Sequence, residues 1–187
     1  MRSPVGSVPL SPGAEISEDR SSLLLPLFKS LTALSPNCLV WKNPDMALSG
    51  IGDVDYMAPE VLWSSIITHV RQWATAAGLG PVIVCHHLPD GMFVIALNGS
   101  NEFFQLDVRS RTSFRGSTLF SAEDLAQMAQ MDRRGFRRLR PGAEGLLKLV
   151  LKGLTWGGRP RVGKLQSEGV LQLIDQDVVG VRQAAAL

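Results

Sequence analysis

Three aspartates carry the chemistry open to this chain. Asp53 and Asp55 sit in Gly52-Asp53-Val54-Asp55, and Asp107 in Gln105-Leu106-Asp107-Val108. Two carboxylates two residues apart on a β-strand project from the same face. A third on a neighbouring strand can lie beside them. Three converging carboxylates repel one another unless a cation stands between them. The spacing therefore predicts a site for Mg2+ or Mn2+, and such sites serve phosphoryl or nucleotidyl transfer.

The elements that must position these residues are legible in part. Leu24, Leu27, Phe28 and Leu31 mark a helix over 20–34. Residues 38–42 read as a strand, 43–52 as a loop with Pro44, Gly50 and Gly52, and 53–58 as the strand of the aspartate pair. Pro59 opens the clearest helix, where Trp63, Ile66, Ile67, Val70, Trp73, Ala74 and Ala77 form one apolar stripe ended by Gly78. Strands over 81–87, 92–98 and 102–109 form an antiparallel meander with turns at 89–91 and 98–101. In the last strand Gln105, Asp107 and Arg109 share one face and Phe104, Leu106 and Val108 the other. Ser121 and Asp124 have capping-box spacing, Pro141-Gly142 starts a helix through Leu154, and 170–187 reads as helical.

The expected fold is α/β (α+β): a small mixed sheet of about five strands with helices mainly on one face. The expected divisions are a disordered leader over 1–19, the α/β core over 20–120 and a helical C-terminal extension over 121–187. No secretory signal is read at the N-terminus. The apolar run Leu23–Phe28 is short and contains Pro26, so no membrane is expected and the expected location is the cytoplasm. Cys38 and Cys85 read as small buried hydrophobes suited to a reducing compartment.

The segment Asp55–Leu62 contains Ala58-Pro59-Glu60, as at the end of a kinase activation segment. Only 57 residues precede Ala58, and they contain no glycine-rich loop or catalytic-loop motif. The motif is explained by Pro59 starting a helix.

The stretch of about residues 36 to 110 resembles the nucleotidyltransferase superfamily that includes DNA polymerase beta. There an Asp-hydrophobic-Asp pair on one strand and a third Asp on a neighbouring strand bind two divalent cations. Gly52-Asp53-Val54-Asp55 matches the pair and Leu106-Asp107 the third. Trp41-Lys42 followed by the Asp53 strand is similar to variant members. The resemblance implies that Asp53, Asp55 and Asp107 are metal ligands and catalytic residues, that Mg2+ or Mn2+ is the cofactor, and that a nucleoside triphosphate is the donor to an unidentified hydroxyl acceptor. The superfamily's hydrophobic-Gly-Ser motif, whose helix N-terminus cradles the triphosphate, is replaced here by Val40-Trp41-Lys42-Asn43. Phosphate contacts then fall to Lys42, Ser49, Gly50, Gly52 and Arg109.

Two other readings stay open. A domain of this type without its Gly-Ser loop can serve as a binding or regulatory module. A third reading starts from charge: residues 133–164 hold ten basic residues and one acid, Glu144, although the whole chain carries only +2. Arg133, Arg137 and Arg140 would align on one side of a helix or turn as a polyanion site, compatible with nucleic acid. Arg159, Arg161 and Lys164 in a Gly-rich loop could close over a phosphate.

Overall fold

The computed structural model describes residues 16–97, 103–153 and 167–187. The expected 98–101 turn, the 155–164 loop with Arg159, Arg161 and Lys164, and most of the expected leader lie outside these residues.

Helix α1 (Ile16–Thr32) is followed by β1 (Leu39–Lys42), the short helix α2 (Pro44–Leu48) and β2 (Val54–Met57). A 3-10 turn at Glu60–Leu62 leads into α3 (Trp63–Ala76), then β3 (Val82–Leu88), β4 (Gly91–Leu97) and β5 (Phe103–Arg109). A hairpin of β6 (Arg111–Phe114) and β7 (Ser117–Ser121) precedes α4 (Ala122–Gln127). Strands β8 (Ala129–Met131) and β9 (Arg137–Leu139) and helices α5 (Pro141–Gly153), α6 (Ser167–Gln176) and α7 (Val178–Ala184) complete the described chain.

The fold is α/β with a mixed sheet, as expected, but the sheet has seven strands in the order β3-β4-β5-β2-β1-β9-β8. The two additional strands come from the segment expected to be a purely helical extension. β9 pairs in parallel with β1, Val40 beside Arg138. A one-turn periodicity reading has no access to a pairing across that much sequence.

Helices cover both faces rather than mainly one. On one face Leu24, Leu27, Phe28 and Leu31 of α1 and Ile66, Val70 and Trp73 of α3 pack on Val54 and Tyr56 of β2 and on Leu106 and Val108 of β5. On the other face Leu125 of α4 and Ala143 and Leu147 of α5 pack on Leu39, Trp41 and Met57. Each fully buried Leu or Phe in these cores contributes about 1.5–3 kcal/mol over leaving it exposed. The second layer covers β1 and the end of β2, while Ile83 on the edge strand β3 and Phe103 at the start of β5, on the same side, remain exposed.

The capping box at α4 forms as the spacing predicts. Asp124 N–H donates to Ser121 Oγ at 3.2 Å, and Ser121 N–H donates to Asp124 Oδ2 at 2.8 Å. Ser121→Ala is expected to cost about 1 kcal/mol, read as a lower urea midpoint at unchanged m-value.

Candidate metal centre

Strand register brings the aspartates together. β2 and β5 are parallel neighbours, with Asp55 directly beside Asp107 and Val54 beside Leu106. Alternation sends Val54, Tyr56, Leu106 and Val108 into the α1/α3 core and turns Asp55 and Asp107 to the opposite side. Asp53, at the entry to β2, has the same parity as Asp55. One carboxylate oxygen from each of Asp53, Asp55 and Asp107 lies within 4.8 Å of the other two. Asp55 and Asp107 are buried, at 6% and 7% exposure, and Asp53 is exposed.

The surrounding charges only partly neutralise the cluster. Lys42, the cross-strand partner of Asp55, places Nζ 2.8 Å from Asp55 Oδ1. Arg109 donates to Asp107 Oδ2 from Nη2 at 3.3 Å and from Nε at 3.4 Å. Gln105 Nε2 donates to Asp53 Oδ2 at 3.4 Å. Three carboxylates thus face two cations. Burial pushes the Asp55 carboxyl up from 3.8 to about 6 against the opposing pull of Lys42, and the charges of Asp53 and Asp107 push the same way. Asp107 Oδ1 is buried with no hydrogen-bond partner.

No family model, curated protein or solved structure matches this chain.

The cluster itself must therefore answer whether it suits a metal. Its donors are all carboxylate oxygens, the set preferred by Mg2+, Mn2+ and Ca2+ over zinc or copper. It has an excess negative charge and an unpartnered buried oxygen, and a divalent cation would satisfy both. The residues present fit such an ion. Lys42 and Arg109 pair with the ligands through long, partly exposed side chains that can swing aside.

A cleft of about 380 Å3 opens beside Asp53, lined by Arg20, Gly50, Gly52, Phe103 and Gln105. Arg20 was not foreseen from sequence. It lies in α1, far from the aspartates in the chain, and its guanidinium donates to Gly52 O at 3.2 Å. No local motif marks such a residue; only the packing of α1 brings it there.

The expected phosphate loop does not form. Ser49, Gly50 and Ile51 donate their amide N–H groups to Asp45 O, Ala47 O and Met46 O. Ser49 Oγ donates to Met46 O at 2.9 Å. This is a Schellman end to α2, with Gly50 at φ +88°. The segment is the carbonyl-rich end of a helix, so its donors are spent and its dipole disfavours an anion. Gly52 turns the chain into β2 at φ +82° and lines the cleft through its backbone. Lys42 and Arg109 are held by the carboxylates.

The basic cluster also departs from expectation. Arg133 lies exposed in a turn, Arg137 is on β9 and Arg140 follows it, so they share no helix face. Arg140 pairs with Asp177 through Nη2 at 2.6 Å and Nε at 3.1 Å. Arg137 donates to Ala126 O at 3.2 Å. Arg134 and Arg138 both contact Asp45 and Asp132. The local excess of arginine is answered by Asp45 and Asp177, distant in sequence, together with the neighbouring Asp132. No helix of the described residues is long and apolar enough to cross a membrane.

Proposed function

We propose that this chain transfers a nucleotide from a nucleoside triphosphate to a hydroxyl acceptor, with Asp53, Asp55 and Asp107 holding divalent cations. The observation that carries the reading is the convergence of three carboxylates within 4.8 Å, one of them with a buried, unpartnered oxygen. When bound, Mg2+ or Mn2+ would neutralise phosphate charge and lower the barrier to attack by an oxygen.

The chain's own residues have separable tasks in this reading. Asp55 and Asp107, fixed by adjacent strands, supply rigid ligand oxygens. Arg20, at the cleft beside Asp53, is the cation placed to meet the triphosphate, a task the spent Ser49–Ile51 amides cannot perform. Lys42 and Arg109 hold the carboxylates in place when the site is empty of substrate and can turn to phosphate oxygens. The acceptor oxygen attacks the α-phosphorus, forming the new P–O bond as the α–β bridging P–O bond breaks. Pyrophosphate leaves with the bonding pair, and the acceptor proton passes to Asp107. Cys38 is buried as expected, whereas Cys85 is exposed on β3, against the expectation of two buried cysteines; both thiols are free, which suits a cytoplasmic setting.

The test is calorimetric titration of Mg2+ and Mn2+, with and without each nucleoside triphosphate, into wild type and Asp53→Ala/Asp55→Ala. Metal-dependent nucleotide binding, weakened more than about 100-fold in the double variant, is the expected result. Absence of binding at millimolar nucleotide would sink the catalytic reading. It would favour a non-catalytic binding module, which draws its support from the missing phosphate loop. Binding to nucleic acid through Arg133, Arg137 and Arg140 has less support, because Arg137 and Arg140 already have partners.

A further inference from the structure

Among the described residues the sheet ends at β3, and that edge is undefended. β3 is seven residues long, carries no Lys, Arg, Asp, Glu or Pro, and pairs with β4 in unbroken register over Val82–His86. Edge strands are commonly blunted by a charge, a proline, a bulge or brevity. β8, at the other end of the sheet, has only three residues. The outer side of β3 therefore presents a regular row of backbone N–H and C=O groups.

A groove of about 520 Å3 accompanies this edge. Its walls are Val84 and His86 of β3 and Ser64, Ile67, Thr68 and Arg71 of α3. The four α3 positions are spaced i, i+3, i+4 and i+7, so they share one helix face. That face adjoins the one that Ile66, Val70 and Trp73 bury in the core. Trp63, at the start of α3, lies beside His86, near the end of β3, with ring centroids 6.0 Å apart. α3 therefore runs antiparallel to β3. Ser64 and His86 stand at one end of the groove and Arg71 at the other, with Ile67 and Val84 between them. β4 occupies the other side of β3, so the groove opens toward the free edge.

The edge and the groove fit one kind of occupant. Alternating N–H and C=O groups at strand spacing are matched by another extended polypeptide, whose alternate side chains then enter the groove. No acidic residue lines the groove, while the exposed Arg71 brings a guanidinium and His86 an imidazole. The complement is a carboxylate at each end and an apolar side chain between them, against Ile67 and Val84. A second copy of β3 offers histidines and no carboxylate.

We infer that the β3 edge docks an extended segment of a partner protein, added as an eighth strand, with two acidic side chains flanking an apolar one on the side of α3. This role is separate from nucleotidyl transfer, because β4 stands between β3 and the strand of Asp107.

The probe is the capped peptide Thr-Glu-Thr-Val-Thr-Glu-Thr, in which Glu, Val and Glu share one face, against the same peptide with lysine for glutamate. Binding to the full chain is followed by NMR of the backbone amides. Shifts are expected in Val82–His86 and in α3 around Arg71, and the glutamate peptide is expected to bind at least about tenfold more tightly than the lysine peptide. Arg71→Glu, at an exposed helix position, is expected to reverse that preference. Methylating the peptide nitrogens at the even or at the odd positions separates strand addition from charge attraction, since only alternate N–H groups of an added strand face its neighbour. One methylated peptide is expected to lose binding and the other to keep it. Asp53→Ala/Asp55→Ala is expected to bind the peptide as wild type does, and loss of binding there overturns the placement at β3. No shift at millimolar glutamate peptide, equal binding of the lysine peptide, equal effects of the two methylation sets, or shifts outside β3 and α3 overturn it as well. So does a chain that sediments as a dimer with its β3 amides protected from exchange, the outcome of pairing with a second copy.

Discussion

Asp55→Asn is expected to melt at a higher temperature than wild type at pH 7 in metal-free buffer. The Asp55 carboxyl sits at about 6 instead of 3.8, so the folded protein holds its proton more tightly than the unfolded chain does. Above pH 6 the ionised group therefore counts against the fold, and this deficit is relieved as pH falls from 6 through 4. A displacement of about 2 units corresponds to about 3 kcal/mol between the two protonation states. Asparagine imitates the protonated form, so about 2–3 kcal/mol of that should be recovered at pH 7. For a chain of this size that is a rise of about 4–12 °C, shrinking to nothing near pH 4. Adding Mn2+ should reverse the order. Wild type gains about 4.1 kcal/mol at a thousandfold excess over its dissociation constant, and the variant gains little. A metal-free Asp55→Asn that melts below wild type would show instead that the Lys42–Asp55 pair is simply structural.

The largest loss of stability is expected from Glu144→Ala. Glu144 is 2% exposed and accepts from Arg138 Nη2 at 3.2 Å, from Lys148 Nζ and from the Asn43 backbone N–H at 2.8 Å. Removing it leaves the buried Arg138 and the partly buried Lys148 each short of a partner and a backbone donor unsatisfied. Breaking a buried pair in this way costs about 3–5 kcal/mol. Glu144→Gln should cost less, because its side-chain carbonyl can still accept from Asn43. Urea denaturation of the two variants gives the ranking. A cost below about 1 kcal/mol for alanine would mean that the network behaves as surface ion pairs do.

Local rules carried the reading of some elements and failed on others for identifiable reasons. The Asp53/Asp55 pair and the faces of β5 follow from two-residue alternation, and the α3 stripe and the Ser121 cap from spacing alone. Register did the rest for Asp107. The β6–β7 hairpin was missed because its turn is Arg115-Gly116, with φ +51° and +84°, rather than the Asn-Gly that signals such turns. β8 and β9 have three residues each, and β9 reads Arg-Arg-Leu, which carries no strand signature. α2 has five residues, too few for a period to show. The arginines suggested a polyanion surface because Asp45 and Asp177 lie far away in the chain, and only the fold brings them close.

The pairing of β9 with β1 bears on how the chain reaches its native state. During synthesis from the N-terminus, β1 finds β2 within a few residues, but its other edge stays bare until the segment around Arg138 emerges. For that interval β1 offers unpaired amides and the uncovered Leu39 and Trp41, the combination that draws strands of other chains. Closure of so long a loop is slow compared with the local hairpins. The α1/α3 face can consolidate early, whereas the aspartate side is completed only by segments made later, β9 and α5 among them. A fragment ending near residue 120 would keep all three aspartates yet retain this open edge, and self-association of its chains is the natural outcome.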